Sequence, residues 1–375
     1  MSFCYSPWTN IDISPTGNIS PCCKFQTQYY DRTYNIQQDS IADYLNSDML
    51  TEVKKNFANN KWPTGCERCR IEEQNSIASK RELDWERWQA TYKEIELTDS
   101  QFITASIAFG NTCNLKCLTC SSYASSRWQK EYREIYNVDW PHVKFYKRDF
   151  VERFVQLAPG LIHLDLPGGE PFLSGIDEQK KLLQHYIDIG RSSQITLHYT
   201  TNSTIFPDDS WWQLWNSFKE IDIQLSIDAV GDRYEYIRYP ANWSQVVLNV
   251  DQYIAKSQHM TNLKLSVSHT VSAYNVYYLD EFFSWCYNIG LPRPWLGRVH
   301  NPKHMRPTVW PAEVRDIIAQ HLRQSNYPDV YAWATMLENE DDSVFFQMFL
   351  QRRQQHDQYR GLDFNITFSE LAKHT

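Results

Sequence analysis

The fold prediction begins with the segment FITASIAFGNTCNLKCLTC, residues 102–120, in which a short apolar and β-branched run leads into a loop with three cysteines. The loop places Cys113, Cys117 and Cys120 in the spacing C-x3-C-x2-C. Three thiolates from one short loop can hold three corners of a cubane iron–sulfur cluster and leave its fourth iron open, whereas structural zinc prefers four protein ligands. The segment therefore predicts an iron–sulfur site with an open iron at the end of a strand.

From residue 102 to about residue 300 the sequence alternates short apolar runs with helix-length segments. This alternation is typical of repeated βα units on a parallel sheet. The predicted strands cover residues 102–109, 161–166, 194–201, 221–228, 262–270 and 294–299. The predicted helices between them include residues 122–136, 177–190, 208–219, 243–258 and 276–289. The fold class predicted from this pattern is α/β.

One face of several predicted strands is polar, although fully buried parallel strands are usually continuous apolar runs. In the second strand Ile162, Leu164 and Leu166 alternate with His163 and Asp165, and the next three strands alternate similarly. An apolar outer face under helices and a polar inner face suit a barrel, or an incomplete barrel, that encloses a polar ligand. The alternative is a core whose polar groups satisfy one another.

The cysteine loop after the first strand resembles the signature of the radical SAM superfamily, and the resemblance covers about residues 102–300. It implies a partial (β/α)6 barrel and a catalytic four-iron, four-sulfur (4Fe-4S) cluster held by Cys113, Cys117 and Cys120. It also implies that the open iron binds the amino and carboxylate groups of S-adenosylmethionine, whose reductive cleavage gives a 5′-deoxyadenosyl radical that abstracts a substrate hydrogen. Thr119 departs from the family, in which an aromatic residue often precedes the third cysteine.

The sequence PGGEP, residues 167–171, follows the second predicted strand and resembles the family's GGEP motif. The resemblance implies that Gly168, Gly169 and Glu170 meet the methionyl ammonium group of the cofactor. Glycines let a backbone approach a ligand closely, and a glutamate carboxylate accepts charge-assisted hydrogen bonds from an ammonium group. The alternative is an ordinary turn.

Two further strand ends resemble motifs of the same superfamily. The sequence TTNS is similar to the T-N-G motif, with Ser203 in place of glycine, and implies that Asn202 binds the cofactor. The sequence LSIDA is similar to the S-x-D-G motif of the subgroup with sulfatase maturases, and implies that Ser226 and Asp228, on one face of a strand, reach the ribose hydroxyls. Arg238 resembles the arginine that pairs with the cofactor carboxylate, and an ordinary surface arginine is the alternative.

Five more cysteines fall near the N-terminus, at Cys4, Cys22, Cys23, Cys66 and Cys69. A Pro-Thr-Gly turn predicts a hairpin that returns a cysteine toward Cys4, and Cys66 and Cys69 form a C-x2-C knuckle. The group resembles the auxiliary iron–sulfur modules called SPASM and twitch, although here it precedes the barrel. The resemblance implies Cys4, Cys22, Cys66 and Cys69 as ligands of an auxiliary iron–sulfur cluster, with Cys23 as a substitute for Cys22. A structural zinc site is the alternative.

The character of the sequence divides the chain into three segments. We expect a separate cysteine-rich module in residues 1–100, the barrel in residues 101–300 and a helical C-terminal extension in residues 301–375. The extension is locally charged, and a solvated helical cap is its simplest interpretation. Cys286 stands apart in an apolar helical stretch and is expected to be a buried, inert thiol.

Composition limits the classes of partner. The chain has 375 residues, with 37 Lys and Arg against 45 Asp and Glu, a net charge of −8 and no long basic block. We therefore expect neither duplex nucleic acid nor a membrane as a partner. The sequence contains no long uncharged apolar run and does not begin with a signal-like segment, which favours a cytoplasmic protein.

The resemblance implies a radical SAM enzyme, and because relatives with such modules mostly modify peptides or proteins, a peptide or protein side chain is the expected substrate. The auxiliary cluster is expected to relay an electron, and a flavodoxin or ferredoxin to act as electron donor. A sugar, a nucleotide or another small metabolite is the alternative substrate, and a non-catalytic iron–sulfur or zinc protein is the distant alternative. Asp165, His198 and Lys264 are candidates in the predicted lumen for substrate contact or proton transfer.

Overall fold

The computed structural model describes residues 3–74, 78–94, 102–139 and 150–375. The strands in these ranges are β1 (Asn10–Ile13), β2 (Asn18–Ser20), β3 (Tyr34–Asn35), β4 (Thr104–Ile107), β5 (His163–Leu166), β6 (Thr196–Thr201), β7 (Glu220–Ser226), β8 (Leu263–Val271) and β9 (Trp295–Arg298). The first helices are α1 (Ser6–Thr9), α2 (Ile41–Leu45), α3 (Asp48–Ala58), α4 (Glu67–Gln74), α5 (Lys80–Tyr92), α6 (Trp128–Tyr136), α7 (Phe150–Leu157), α8 (Ile176–Asp188) and α9 (Asp209–Trp215). The later helices are α10 (Asp232–Ile237), α11 (Trp243–His259), α12 (Leu279–Asn288), α13 (Ala312–Leu322), α14 (Pro328–Asn339), α15 (Phe346–Arg360), α16 (Phe364–Thr367) and α17 (Ser369–Ala372).

The described residues divide into two compact units. The first unit draws on residues 1–112, 141–199 and 209–221, and the second on residues 113–140, 200–208 and 222–375. The predicted boundary after residue 100 lies outside the described residues, and the one after residue 300 falls inside the second unit. Each unit therefore draws on several separate stretches of the chain, and the three predicted segments stay a prediction.

In the first unit the strands lie in the order β3-β2-β1-β4-β5-β6. β1 and β2 form the predicted antiparallel hairpin, and Gly17 in its turn has a φ of +85°, which glycine adopts without strain. β1 also pairs in parallel with β4, with Ile11 opposite Ala105. The hairpin of the predicted N-terminal module therefore extends the row of parallel strands, and the boundaries of that module stay a prediction.

In the second unit β7, β8 and β9 are neighbours in that order, and β8 pairs in parallel with β9. Helices α13 to α17 follow, so the segment after residue 300 is helical as predicted. It is more than a solvated cap, because Phe349, Phe364 and Phe368 are fully buried. The indole of Trp310 ties this segment to the residues after β8 by donating to the carbonyl of Ala273 at 3.0 Å.

The strands show the alternation that the sequence predicted. In β5 Leu164 and Leu166 are buried, whereas Asp165 between them keeps part of its surface, and buried residues of β7 alternate with partly exposed ones. All six strands predicted between residues 102 and 300 are present, with ends within two residues of those predicted. The α/β fold class is confirmed, and the strand order of neither unit closes into a ring among the described residues, as expected for a partial barrel.

Two smaller expectations can also be compared with the structure. Cys286 is buried in α12 as predicted, and burial raises the pKa of its thiol to about 12. Among the described helices none has both the length and the apolar composition needed to cross a bilayer. The cytoplasmic location stays a prediction.

Candidate functional site

The loop with the C-x3-C-x2-C spacing belongs to the second unit and is fixed by its backbone. The N–H of Lys116 donates to the carbonyl of Tyr239 at 2.6 Å, and the N–H of Leu118 donates to the carbonyl of Ile237 at 2.8 Å. Both acceptors flank Arg238 at the end of α10. These two bonds therefore place the loop beside the arginine that the sequence analysis assigned to the cofactor carboxylate.

The chain that follows the loop provides two further anchors. The hydroxyl of Ser125 donates to the carbonyl of Leu115 at 2.6 Å, and the indole N–H of Trp128 donates to the carbonyl of Cys117 at 3.1 Å. Ser125 lies inside the helix predicted from residue 122, but α6 begins only at Trp128. The difference arises because residues before Trp128 turn to satisfy the carbonyl groups of the loop.

The three thiols of the loop influence one another's ionisation. Burial raises the pKa of Cys120 to about 11 and raises that of Cys117 more strongly, and Cys113 adds to both shifts. The positive charge of Arg238 acts in the opposite direction on both thiols. Free thiolates are thus disfavoured here, and a bound cationic metal centre is the kind of group that would keep them deprotonated.

The composition of this donor set fits an iron–sulfur cluster, which distributes its cysteine ligands over different irons. Within the described ranges, no three His, Cys, Asp or Glu side chains converge as ligands of a single metal ion do. The sulfur of Cys113 accepts the N–H of Leu115 at 3.4 Å and an amide N–H of Asn202 at 3.8 Å. Such hydrogen bonds to sulfur are among the features that tune iron–sulfur centres.

Asn202 and Ser203 are the two polar residues that directly follow β6. The side-chain amide of Asn202 also donates to Asn114 at 3.0 Å, so it joins two residues of the cysteine loop. Ser203 has a φ of +63°, in the left-handed region that glycine occupies most easily. Glycine in the related motif therefore has a conformational reason, and Ser203 adopts the same backbone here at some cost.

Arg238, Asp228 and Ser226 form one buried network. The guanidinium of Arg238 donates through Nε to Asp228 at 2.9 Å and through Nη2 to Ser226 at 2.7 Å. The second oxygen of Asp228 accepts the N–H of Thr270 at 2.8 Å, and the aspartate has no exposed surface. The structure brings these three predicted residues together, with Asp228 buried against Arg238, and the assignment of Ser226 and Asp228 to the ribose stays a prediction.

The Gly-Gly-Glu turn after β5 lies in the first unit and is as compact as its sequence suggests. Gly168 and Gly169 have φ values of +100° and +58°, and a Cβ on Gly169 would lie 2.2 Å from the carbonyl oxygen of Thr112. The N–H of Glu170 donates to that same carbonyl at 2.9 Å. The glycines therefore let the turn pack against the residues that lead into the cysteine loop. Glu170 is fully buried, and its assignment to an ammonium group stays a prediction.

The N-terminal cysteines also form a group in the first unit. Cys22 interacts electrostatically with Cys4 and Cys66, and Cys66 interacts with Cys4 and Cys69. Burial raises the pKa of Cys4 to about 11 and raises those of the other three. Cys22 also interacts with Cys23 and Lys80, and the other charged neighbours of Cys23 include Asp12 and Asp165 of a separate cavity that Cys23 lines. Cys22 as the ligand and Cys23 as its substitute stay a prediction.

A buried charge network behind the cysteine loop was missed by the sequence analysis. The carboxylate of Glu131 accepts from His356 at 2.9 Å and from Arg360 at 2.9 Å, and it lies 2.7 Å from the ammonium of Lys116. Arg360 also donates to the carbonyl of Lys116 at 2.9 Å. Although burial alone would raise the pKa of Glu131, His356, Arg360 and Lys116 together lower it to about 2. The network fixes Lys116, between two predicted ligands, to the C-terminal helices.

One signal in the sequence could have identified this network. Arg352, His356 and Arg360 recur at every fourth position of α15 and therefore lie on one face of the helix. His356 and Arg360 are buried, which is unusual for basic residues without partners. A periodic basic row on a helix that also carries Phe349 indicates an ion-pairing face and not only a solvated one.

A cavity of about 550 Å³ lies beside the third cysteine in the second unit. Its wall includes Thr119 and Cys120 from the loop, Tyr132 and Tyr136 from α6, and Arg352 from α15. Thr119 stands where the related loops often have an aromatic residue. In this protein the neighbouring tyrosines of α6 provide aromatic surface at that place.

A second cavity, of about 210 Å³, lies in the first unit and is polar. Asp165 and His198 both line it, as expected for the polar face of the strands. Lys264 belongs to the second unit and is exposed on β8, and its place in the predicted lumen stays a prediction. The cavity also contains Cys23 and side chains that the sequence analysis did not single out, namely Asp12, Lys80, Asp84, Arg87, Trp88 and Ser106.

Three solved structures share limited similarity with the chain. anSMEcpe with bound AdoMet has a TM-score of 0.41 and 17% identity, covering 53% of this chain and 52% of its own. SuiB of Streptococcus suis bound to S-adenosylmethionine has a TM-score of 0.36 and 15% identity, covering 74% and 61%. TYW1 with a lysine-pyruvate adduct bound has a TM-score of 0.36 and 13% identity, covering 76% and 91%. The chain thus spans about half of anSMEcpe and about three fifths of SuiB.

No curated protein sequence matches the chain. Residues 4–70 match the SPASM family, described as an iron–sulfur cluster-binding domain. The matched range contains all five N-terminal cysteines. The predicted resemblance to a SPASM module is therefore confirmed for residues 4–70.

Proposed function

We propose that this protein is a radical SAM enzyme in which Cys113, Cys117 and Cys120 hold a 4Fe-4S cluster with one open iron for S-adenosylmethionine. The observation that carries the proposal is the C-x3-C-x2-C loop, whose backbone bonds to the residues on either side of Arg238. The chemistry supplied by the bound group is reductive cleavage of S-adenosylmethionine, which leads to removal of a hydrogen atom from a substrate.

The residues around the loop position this chemistry. Arg238 provides positive charge near Cys117 and, through its bond to Ser226, near the end of β7. We assign Arg238 and Ser226 to the carboxylate and ribose of the cofactor, and Asp228 to the orientation of Arg238. Asn202 donates to the sulfur of Cys113. Gly168, Gly169 and Glu170 are assigned to the methionyl ammonium group.

The N-terminal module is proposed to hold the auxiliary cluster. Its ligands are Cys4, Cys22, Cys66 and Cys69, whose mutual electrostatic contacts and match to an iron–sulfur cluster-binding domain support the assignment. Four thiolates would leave no open iron, so the chemistry that this cluster would supply is electron relay and not substrate binding. A flavodoxin or a ferredoxin in the cytoplasm is the proposed electron donor.

A peptide or protein side chain is the proposed substrate. SPASM-like modules are found mostly in enzymes that modify peptides or proteins, and residues 4–70 match that family. A sugar, a nucleotide or another small metabolite is the alternative.

The test is a cleavage assay on anaerobically purified protein reconstituted with iron and sulfide. Dithionite and S-adenosylmethionine are added, and 5′-deoxyadenosine is quantified by chromatography. We expect it from the native protein and from the Cys286→Ala control, whose thiol is buried in α12 far along the chain from both clusters. The triple variant Cys113→Ala/Cys117→Ala/Cys120→Ala should give none. Native protein that binds about eight irons but gives no cleavage would favour a non-catalytic iron–sulfur protein.

A further inference from the structure

The strand order of the second unit ends at β9, which pairs in parallel with β8. Trp295 of β9 lies opposite Ser268, and Gly297 lies opposite Thr270. No other strand within the described ranges pairs with β9. Proline and lysine often protect sheet edges from pairing, and neither occurs among the four residues of β9. β9 is therefore an edge strand whose outer side can accept another strand.

The backbone of β9 has hydrogen-bonding groups on that outer side. The N–H of Val299 donates to the carbonyl of Val271 at 3.1 Å, so Val299 directs its backbone groups toward β8. Alternate residues of a strand direct these groups to opposite sides, and Leu296 and Arg298 therefore direct theirs away from β8. None of their two N–H and two C=O groups has a hydrogen-bond partner among the described residues. The edge thus offers two donors and two acceptors in alternation.

An exposed aromatic side chain lies beside this edge. Trp295 is 66% exposed, although it is one of the largest apolar side chains. A Cβ added to Gly297 would lie 2.6 Å from Cζ3 of Trp295, so the indole lies across Gly297 on one face of the strand. Glycine at this position leaves room for the ring. The two residues therefore form a flat aromatic surface that a side chain on a neighbouring strand can contact.

The indole is on the same face of the strands as a residue assigned above to the cofactor. The N–H of Ile227 donates to the carbonyl of Ser268 at 3.0 Å. In a parallel pair an N–H bonds to the residue before its direct partner, so Ser226 lies opposite Ser268. Because Ser268 lies opposite Trp295, the three residues form a row across β7, β8 and β9. Two strand spacings, about 10 Å, separate Ser226 from Trp295 along this row.

The chemistry and the length of the edge indicate what can occupy it. Alternating backbone donors and acceptors match the backbone of another extended segment, in which main-chain hydrogen bonds give affinity and side-chain contacts give specificity. Sugars and nucleotides lack this alternation. A strand of four residues is short compared with the roughly 20–30 residues that each protein contributes to a stable interface. A peptide segment therefore fits the edge better than a second copy of the chain.

We propose that the outer edge of β9 binds an extended peptide segment as an added strand. The peptide pairs with the backbone of Leu296 and Arg298 and places one side chain on the indole of Trp295. That side chain lies on the face that Ser226 shares, and so on the side of the cofactor. That the peptide is the substrate rests on the proposed function, whereas the strand pairing does not.

The first experiment selects binders from an mRNA-displayed library of random octapeptides. The target is the full-length, cluster-loaded protein under anaerobic conditions, without S-adenosylmethionine. The most strongly enriched octapeptide is synthesised with a fluorophore, and its affinity is measured by fluorescence anisotropy. Two analogues are N-methylated at alternate residues, one at the odd positions and one at the even positions.

A strand directs alternate N–H groups toward its neighbour, so only one of the two analogues loses donors that the edge uses. We expect that analogue to bind at least about tenfold more weakly than the other. The absence of any enriched octapeptide overturns the proposal. Equal binding of the two analogues also overturns it.

Variants and amide exchange locate the bound peptide. The unmodified octapeptide should slow hydrogen–deuterium exchange at the amides of Leu296 and Arg298 several-fold. Gly297→Ala displaces the indole and should weaken binding several-fold, whereas Gly160→Ala is the matched control, because a Cβ there meets no atom within 4 Å. Circular dichroism reports folding, and Trp295→Ala replaces Gly297→Ala if the latter does not fold. Unchanged exchange at both amides, or unchanged affinity in the folded variant, overturns the proposal.

The same exchange measurement distinguishes a peptide from a second copy of the chain. Without peptide, exchange at Leu296 and Arg298 should not depend on protein concentration. Slower exchange at higher protein concentration would mean that two copies pair through β9, which contradicts the proposal. Because no measurement uses cleavage of S-adenosylmethionine, failure of the deoxyadenosine assay would not affect these results.

Discussion

The two cysteine sites of this protein are assembled in different ways. The C-x3-C-x2-C site takes three thiols from the eight residues Cys113 to Cys120, whereas the N-terminal site collects four from three places between Cys4 and Cys69. The short loop is anchored to α10 and lies next to a buried arginine, Arg238. A local loop with three ligands can leave one iron open, while a site collected by folding can close all four positions.

The largest expected effect is the difference in cleavage between a single cysteine substitution at the C-x3-C-x2-C site and one at the N-terminal site. Cys117→Ala should abolish cleavage of S-adenosylmethionine and reduce bound iron by about half, because the remaining two thiols cannot hold the cluster. Cys66→Ala should reduce bound iron by a similar amount but leave cleavage measurable. Iron analysis and deoxyadenosine quantification on the same preparations check both outcomes. If Cys66→Ala kept the iron of the C-x3-C-x2-C site but lost cleavage, the two sites would not act independently.

The second prediction concerns Arg238, the buried arginine beside the C-x3-C-x2-C loop. Arg238→Met leaves the carboxylate of Asp228 buried without its cation, and we expect a loss of about 3–5 kcal/mol of unfolding free energy. Urea denaturation monitored by circular dichroism measures the change. Arg323→Met is the control, because the exposed pair of Arg323 with Glu338 should contribute less than about 1 kcal/mol. An equal loss of unfolding free energy in the two variants would contradict a larger contribution from the buried ion pair.

The next prediction concerns Glu131, whose carboxylate holds Lys116 of the C-x3-C-x2-C loop. Its pKa is lowered from 4.5 to about 2, so the ionised carboxylate contributes roughly 3 kcal/mol of stability above pH 4.5. That contribution is lost as the pH falls from 4.5 toward 2. Glu131→Gln should therefore be roughly 3 kcal/mol less stable at pH 7, with a smaller difference near pH 3.

The measurement for Glu131 is a series of urea denaturation curves between pH 3 and pH 7, on protein without clusters. Asp188→Asn is the control, because Asp188 is exposed at the end of α8 and accepts from Gln184 at 2.8 Å. A difference between native protein and Glu131→Gln that does not change with pH would mean that the ion pairs are not its source.

The smallest expected effect distinguishes Cys22 from Cys23 as a ligand at the N-terminal site. Cys22→Ser should lose the auxiliary cluster, because Cys22 lies among Cys4 and Cys66. Cys23→Ser should keep about full iron content, since its charged neighbours are Lys80 and Asp12. Iron analysis and electron paramagnetic resonance of the reduced proteins distinguish the two variants. The opposite pattern would assign Cys23 as the ligand.

Much of the fold could be predicted from the sequence because its signals are local. The six strands after residue 102 follow from apolar runs. Trp211, Trp212 and Trp215 of α9 are buried in the core of the protein, as their helical spacing suggests. The C-x3-C-x2-C loop and the Pro-Thr-Gly hairpin are likewise defined by neighbouring residues. Covalent connection already holds such residues within a few positions, so their pattern limits the structures that they can form.

The parts that could not be predicted depend on contacts between distant residues. β1 pairs with β4 across more than 90 positions, as in Asn10 opposite Thr104. No periodicity indicates that Asp12 would share a cavity with Asp165. The internal pairing of Asp228 with Arg238 was also missed, because a motif names the residue types without showing which groups satisfy one another.

The sequence by itself determined the α/β class, the strands, and the spacing of thiols that defines each cysteine site. Only the tertiary structure decided that Cys23 lines the polar cavity and that the adjacent Cys22 comes near Cys4 and Cys66. It also decided that His356 reaches Glu131 across 225 positions. The physical reason is that a short-range pattern fixes dihedral preferences and faces, whereas burial and ion pairing depend on which elements pack together.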